Sequence, residues 1–218
     1  MLSRACMARL MGNIMLSIQF ETLQRIGFTN AFFSQLAPVQ DGMNAHVMRI
    51  IEVHKDRLTL HDGERPCSAR VLPRLLSLLE ENDYSLAVGD WVVAENNVLD
   101  ELWITSKLSP VNHLSRRSFD GRRQSVASNI DTALLVMGLD HDFNLRRLER
   151  YIALVAAADI TPVVVLTKAD TVTNAGECIQ QTMQRLNHRY PILPSTPWIS
   201  LPFNNWRHGS TAGKPCVY

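Results

Sequence analysis

Residues 162–170 read PVVVLTKAD, an apolar run followed by a short polar turn. Three consecutive valines and a leucine are typical of a β-strand that is buried on both faces, as parallel strands are. In open α/β sheets, ligands bind at the carboxyl ends of the strands. The turn after this strand, with Lys168 and Asp170, therefore stands where a binding loop is expected.

The segment before this strand completes a β-α-β unit. Residues 132–137 read TALLVM, a second short apolar run. Between the two runs, over residues 145–158, apolar side chains recur every three or four positions, which predicts an amphipathic helix with Asn144 as its cap. Such crossovers place their two strands parallel in one sheet, so the loop at 167–170 opens at the edge where nucleotides usually sit.

The residue types in this loop fit the recognition of guanine. The Asp170 carboxylate can accept hydrogen bonds from N1–H and the exocyclic amine of guanine, and adenine would leave it unpaired. The aliphatic stem of Lys168 would lie over the base plane, and the Thr167 hydroxyl would tie the loop to neighbouring backbone. The alternative is an ordinary strand-to-helix turn in which Asp170 caps the next helix.

Three stretches of the chain, residues 124–131, 137–151 and 162–170, together are similar to one known family. They resemble the RsgA (YjeQ) family of circularly permuted GTPases, which assist late assembly of the small ribosomal subunit. In that family an OB-fold domain comes first, followed by the guanine-reading loop, the phosphate loop, the switch regions and a zinc-binding helical domain. The resemblance covers about residues 23–194.

The resemblance implies that the guanine base of GTP binds to Thr167, Lys168, Ala169 and Asp170, with Thr167 where most GTPases carry Asn. It also implies an α+β multidomain chain, in which an N-terminal OB-fold β-barrel precedes an incomplete α/β P-loop-type, circularly permuted GTPase domain. The expected boundaries are a leader at 1–40, the OB-fold domain at 41–112, the partial GTPase domain at 113–194 and a divergent tail at 195–218.

The N-terminal half, read by itself, also indicates a small β-barrel. Five short apolar runs are separated by turn signals, and the first alternates with Ala45, Val47, Ile51 and Val53 on one face. The leucine-rich residues 71–79 have a helical composition and interrupt these strands. A helical element at residues 20–36 is expected to pack on the barrel. Trp91 and Trp103 lie within strand patterns and are expected in the core.

A basic segment separates the two halves and predicts a contact with ribosomal RNA. Its five cations face the single acid Asp120, a local net charge of five minus one, or +4. These cations are Lys107, Arg116, Arg117, Arg122 and Arg123. The alternative is a solvated linker between domains.

Two motifs of a complete GTPase do not occur in the sequence. No G-x-x-x-x-G-K-[ST] is present, because the near match at residues 209–214 is too short and precedes Pro215, and there is no D-x-x-G. The Mg²⁺ site expected for the family is therefore absent from this sequence, and its four scattered cysteines offer no structural zinc site. We expect a C-terminally truncated or frameshifted member, altered near Pro194, that does not hydrolyse GTP alone.

Composition sets further limits. The 218 residues carry a formal net charge of +1, so any RNA contact must depend on a local patch. The four cysteines are scattered, which predicts a reduced, cytoplasmic compartment and no metal site. We expect a monomer without membrane contact. Two alternatives to the GTPase function remain. One is a nucleotide-independent RNA-binding OB module or non-functional fragment, and the other is an unrelated nucleotide or small-ligand binder.

Overall fold

The structure is a computed structural model that describes residues 20–36, 45–55, 57–117 and 123–194. The helices are α1 (Phe20–Gln24), α2 (Asn30–Phe33), α3 (Pro73–Glu81), α4 (Leu145–Ala156) and α5 (Ala175–Arg185). The strands are β1 (Ala45–Val53), β2 (Leu58–His61), β3 (Pro66–Val71), β4 (Trp91–Asn96), β5 (Leu102–Lys107), β6 (His113–Arg117), β7 (Arg123–Ser128), β8 (Thr132–Gly138), β9 (Thr161–Thr167) and β10 (Ile192–Pro194). The expected tail at 195–218 lies outside the described residues.

The predicted barrel is confirmed. Its strands close in the order β1-β2-β3-β5-β4, and neighbours are antiparallel except for the parallel pair β3 and β5. Each strand contributes to one apolar interior, which includes Met48, Leu60, Ala69, Val92 and Ile104. A closed barrel leaves no unpaired strand edge, so this half of the molecule forms a closed OB-like unit.

Strand β1 differs from the prediction in the side chains that it buries. Ala45 and Val47 are buried as expected, but Ile51 and Val53 are exposed, so the prediction of one continuous apolar face was wrong. The pairing of β1 with β2 shifts its register after Ile50. Such a bulge inserts an extra residue and breaks the alternation of inward and outward side chains.

Helices cover the barrel at two places. The predicted helical stretch at 71–79 forms α3, which begins at Pro73 and adds Leu75 and Leu79 to the barrel core. On the other side, α1 and α2 bring Phe28 against the ring of Trp91, with 4.9 Å between the ring centroids. Trp91 is fully buried. The expected packing of the helical element at residues 20–36 on the barrel is therefore confirmed.

The second half contains the expected β-α-β unit. Its sheet has the order β10-β9-β8, all pairs are parallel, and α4 connects β8 to β9. Val164 and Leu166 of β9 pack in one core with residues of α4 and α5, whereas Val163 and Val165 pack with Leu134 in another. Strand β9 is thus buried on both faces, as its composition predicts.

A two-stranded sheet of β6 and β7, called the ribbon below, leads into a buried polar junction with the barrel. The Asn129 side chain donates to the Gly89 carbonyl at 2.9 Å and accepts from the Val111 amide at 2.8 Å. Arg49 is 3% exposed and donates to the carbonyls of Asn129 and Ile26. Burial lowers the pKa of Arg49 to about 10, against the attraction of two nearby carboxylates. Leader, barrel and the approach to β8 are fixed to one another here.

Candidate nucleotide-binding site

The loop at 167–170 is tied to the neighbouring strand at its first residue. Thr167 ends β9 and pairs in parallel register with Gly138, the last residue of β8. The Thr167 hydroxyl donates to the Met137 carbonyl at 3.4 Å, and the Thr167 carbonyl accepts from the Leu139 amide at 3.0 Å. The expected tie through Thr167 is therefore present.

The following residues turn the chain away from the sheet. Lys168 has a φ of 61°, and its carbonyl accepts from the amide and the hydroxyl of Thr171 at 3.2 and 2.9 Å. Ala169 is partly buried against the core under α4 and α5, and Asp170 is exposed. The N-cap of α5 is Asn174, so the alternative in which Asp170 caps that helix is wrong. The Asp170 carboxylate lies open to solvent beside the sheet edge.

Lys168 contacts a carboxylate that sequence reasoning missed. Its Nζ donates to Oδ2 of Asp140 at 2.6 Å, and the two side chains are 44% and 19% exposed. The hydrogen bond from Lys168 lowers the pKa of Asp140, and the same bond raises the pKa of Lys168. A usable signal existed in the sequence, since Asp140 follows β8 closely and parallel strands end at the same edge of a sheet.

The segment between Asp140 and α4 is ordered by local hydrogen bonds. Asn144 caps α4 as predicted, because its side-chain oxygen accepts from the Arg147 amide at 3.0 Å. The Arg147 guanidinium donates to the Asp142 carbonyl at 2.5 Å. The turn that carries Asp140 is thus held at both of its ends, by the β8 pairing and by the helix cap.

Three of the predicted RNA-binding residues come together on the ribbon. Arg116, Arg117 and Arg123 are exposed, and Arg117 lies directly opposite Arg123 in the strand pairing. Like charges directly opposite each other repel, and an anion bound between them would remove that repulsion. Arg122 falls outside the described residues.

Lys107 is not part of this group. It lies in β5 with its side chain only 8% exposed, and its ammonium is 3.2 Å from Oδ1 of the fully buried Asp90. The same ammonium lies 4.1 Å from the centroid of the Tyr84 ring. Its charge is neutralised inside the protein, so the structure separates Lys107 from the arginines with which the sequence grouped it.

The described residues show neither a metal-binding cluster nor a membrane-spanning helix. Within those ranges, no three His, Cys, Asp or Glu side chains lie close enough together to hold a metal ion. Cys67 and Cys178 are free thiols. None of the helices in this part of the chain is long and apolar enough to cross a membrane.

Sequence comparisons connect this geometry with known proteins. The family model described as RsgA GTPase matches residues 108–196. A small ribosomal subunit biogenesis GTPase RsgA of Vibrio vulnificus is 32% identical over 187 residues, which are 85% of this chain and 48% of that protein. A protein of the same name from Mesorhizobium japonicum is 34% identical over 179 residues, which are 82% of this chain and 48% of the relative. The chain spans about half the length of the curated relatives that it matches.

Solved structures share the fold. YloQ, a circularly permuted GTPase, aligns with a TM-score of 0.51 and 22% identity over 73% of this chain and 54% of its own. YjeQ from Thermotoga maritima aligns with a TM-score of 0.54 and 16% identity over 70% of this chain and 52% of its own. Identities this low establish the fold alone. In sequence, the chain is similar to the RsgA family over residues 108–196 and in its alignments with the curated relatives.

Proposed function

We propose that this chain binds guanine nucleotide through residues 167–170 and acts in assembly of the small ribosomal subunit. The RsgA match over residues 108–196 and the names of the relatives support this function. The observation that carries it is the exposed Asp170 carboxylate just after the buried strand β9, in the same loop as Lys168. The same kinship supports a cytoplasmic location.

The loop selects guanine through the acceptors and donors of its side chains. An ionised Asp170 offers only acceptors, which match the N1–H and amine donors of guanine. Because β9 is buried on both faces and Thr167 is tied to β8, the carboxylate is attached to a rigid frame. Preorganisation of this kind lowers the entropy lost when a ligand binds.

Exchange of one side chain tests this selection. Asn at position 170 keeps one acceptor and gains a donor, which matches xanthine, whose carbonyl replaces the amine of guanine. We expect Asp170→Asn to weaken GDP binding about 10- to 100-fold, the loss of charge-assisted bonds, and to favour xanthosine diphosphate. The control is Asp159→Asn. Asp159 is an exposed carboxylate just before β9, at the amino end of the parallel strands. Unchanged GDP affinity in Asp170→Asn would refute the proposed site.

Hydrolysis requires groups that the loop does not provide. Phosphoryl transfer depends on backbone amides, a lysine and Mg²⁺ around the phosphates. The 218 residues contain neither G-x-x-x-x-G-K-[ST] nor D-x-x-G. We therefore propose that these residues contribute base recognition to the family's GTPase reaction. Phosphate release from GTP by the purified 218-residue chain, measured against buffer, should be undetectable, and turnover would contradict this division of roles.

The ribbon supplies the proposed contact with ribosomal RNA. Arg116, Arg117 and Arg123 are exposed, and within the described residues no acidic side chain pairs with them as Asp90 pairs with Lys107. Phosphate contacts release counterions, so removal of one arginine–phosphate pair lowers the slope of log affinity against log salt by roughly 0.7–0.9. The double variant Arg117→Ala/Arg123→Ala should lower that slope by about 1.5 with small-subunit RNA. Arg146→Ala/Arg150→Ala on α4 removes equal charge and should leave the slope unchanged.

A second candidate function is RNA binding that does not depend on nucleotide. The exposed arginines of the ribbon favour it, because they need no nucleotide to be presented to RNA. Cosedimentation with small ribosomal subunits separates the two candidates. If GTP analogues change the bound fraction, the nucleotide-dependent function is supported, and an identical bound fraction supports the RNA-binding module.

A further inference from the structure

The Asp140 carboxylate is held by several groups at the end of β8. Its Oδ2 lies 2.6 Å from Lys168 Nζ and 3.4 Å from His141 Nδ1. Its Oδ1 accepts from the Asp142 amide at 3.3 Å. Because the Leu139 amide also bonds to the Thr167 carbonyl at 3.0 Å, the residues before Asp140 and Lys168 are linked through backbone. The carboxylate is therefore fixed relative to the guanine-reading loop.

The backbone around this pair is adapted to it. Lys168 adopts a φ of 61°, a left-handed conformation that is unfavourable for a residue with a side chain. A Cβ at position 138 would lie 2.5 Å from Oδ1 of Asp140 and 3.5 Å from Cδ of Lys168. Glycine at this position thus leaves room for the carboxylate and for the lysine stem. The pair thus combines an unfavourable backbone conformation at Lys168 with the space that Gly138 leaves.

The exposure of the pair indicates a role other than stabilising the fold. An ion pair with side chains 44% and 19% exposed adds little to folding, because solvent screens it and two side chains lose freedom. A free lysine has many rotamers, and a ligand that contacts its stem must order all of them. With its ammonium held by Asp140, the stem of Lys168 is ordered before a base arrives.

We propose that Asp140 is a positioning residue for guanine recognition. It holds the ammonium of Lys168 near the carboxyl end of β8. The aliphatic stem of Lys168 then forms one wall for the purine ring beside Asp170. This inference rests on the proposed function of the loop. Asp140 itself touches Lys168 and not the nucleotide, so its effect on binding must pass through Lys168.

A double-mutant cycle tests that dependence. GDP and ADP binding to the 218-residue chain are measured for the wild type, Asp140→Asn, Lys168→Met and the double variant. We expect Asp140→Asn to weaken GDP binding about 3- to 10-fold and to lower the denaturation midpoint only slightly. In the Lys168→Met background the same change should have no further effect. Asp140→Glu should restore most of the affinity, and Asp142→Asn, which removes a neighbouring carboxylate, should change it less than about twofold.

The outcomes separate this inference from the proposed function. A wild-type chain that binds GDP no better than ADP overturns both. A wild-type preference for GDP that Asp140→Asn leaves intact overturns the positioning role alone. An equal loss from Asp140→Asn with and without Lys168 also overturns it, because the effect would then not pass through the lysine. A titration of the Lys168 ammonium by NMR adds a readout without nucleotide, since Asp140→Asn should lower its pKa towards 10.5.

Discussion

Two Asp–Lys pairs in this molecule have the same chemistry and opposite surroundings. Asp90 and Lys107 lie 3.2 Å apart inside the barrel, with side chains 0% and 8% exposed. Asp140 and Lys168 lie 2.6 Å apart at the sheet edge, with side chains 19% and 44% exposed. Burial raises the pKa of Asp90, whereas the hydrogen bond from Lys168 lowers the pKa of Asp140.

This contrast shows how environment assigns a role to one pair of residue types. In the barrel, removal from water disfavours both charges. Loss of either partner would leave the other charge buried without compensation. At the carboxyl end of the sheet the pair is partly open to water, which screens it, so the pair is worth little to folding and is available to order a binding surface. Loss of one partner from the buried pair is therefore expected to destabilise the fold, whereas the partly exposed pair is the one proposed to position a ligand-binding side chain.

The largest expected difference comes from breaking each pair in turn. Asp90→Ala leaves the Lys107 ammonium buried without a partner, which should lower the free energy of unfolding by about 3–5 kcal/mol. Asp140→Ala should leave the urea denaturation midpoint nearly unchanged. Equal shifts in the two midpoints would contradict the distinction between the two pairs.

A second difference concerns glycines beside and away from the buried junction. Gly89 has a φ of 89°, and a Cβ there would lie 2.0 Å from the Ser128 carbonyl oxygen. Gly89→Ala should therefore destabilise the protein by about 3 kcal/mol. Gly176, in α5, has open space where a Cβ would lie, with no heavy atom within 4 Å. Gly176→Ala should stabilise the helix by roughly 0.5 kcal/mol, and thermal melting of both variants checks the contrast.

The smallest expected difference is in the dependence of stability on pH. The pKa of Asp90 is raised above its ordinary value of 3.8 in the folded protein. The contribution of Asp90 to stability is therefore fully present below pH 3.8 and is lost as pH rises through the folded pKa. The lowered pKa of Asp140 has the opposite sign, so its contribution is present above 3.8 and is lost as pH falls through the folded pKa.

The pH dependence of these contributions is measured from denaturation midpoints. The midpoints of Asp90→Asn and Asp140→Asn are each compared with that of the wild type across the acid range. The wild-type advantage over Asp90→Asn should shrink with rising pH above 3.8, and the advantage over Asp140→Asn should shrink with falling pH below 3.8. If the wild-type advantage changed with pH in the same direction for both variants, burial would not distinguish the two carboxylates.

Sequence reasoning worked where local pattern decides structure. The valine run of β9, the helix capped by Asn144 and the barrel strands follow from periodicity and turn residues, and each is found. It failed at Ile51 and Val53, because a bulge in β1 changes the alternation and no residue type announces it. Alternation alone cannot anticipate an extra residue in a strand.

The site was only partly predictable for a related reason. The candidate loop at 167–170 carries its chemistry in adjacent residues, so its position could be read from the chain. The pairing of Lys168 with Asp140 depends on how two strand ends align, which spacing does not specify. Lys107 was grouped with the arginines by proximity in sequence, but strand β5 directs its side chain towards a buried carboxylate.

Mapping of GDP on the protein by NMR tests the central claim most directly. If the end of β9 reads guanine, addition of GDP should shift the amide signals of residues 138–140 and 167–171, and ADP at the same concentration should not. The Asp170→Asn variant should lose these shifts with GDP and regain them with xanthosine diphosphate. Shifts that appear equally with ADP, or that fall elsewhere on the chain, would contradict the assignment of this loop as the guanine site.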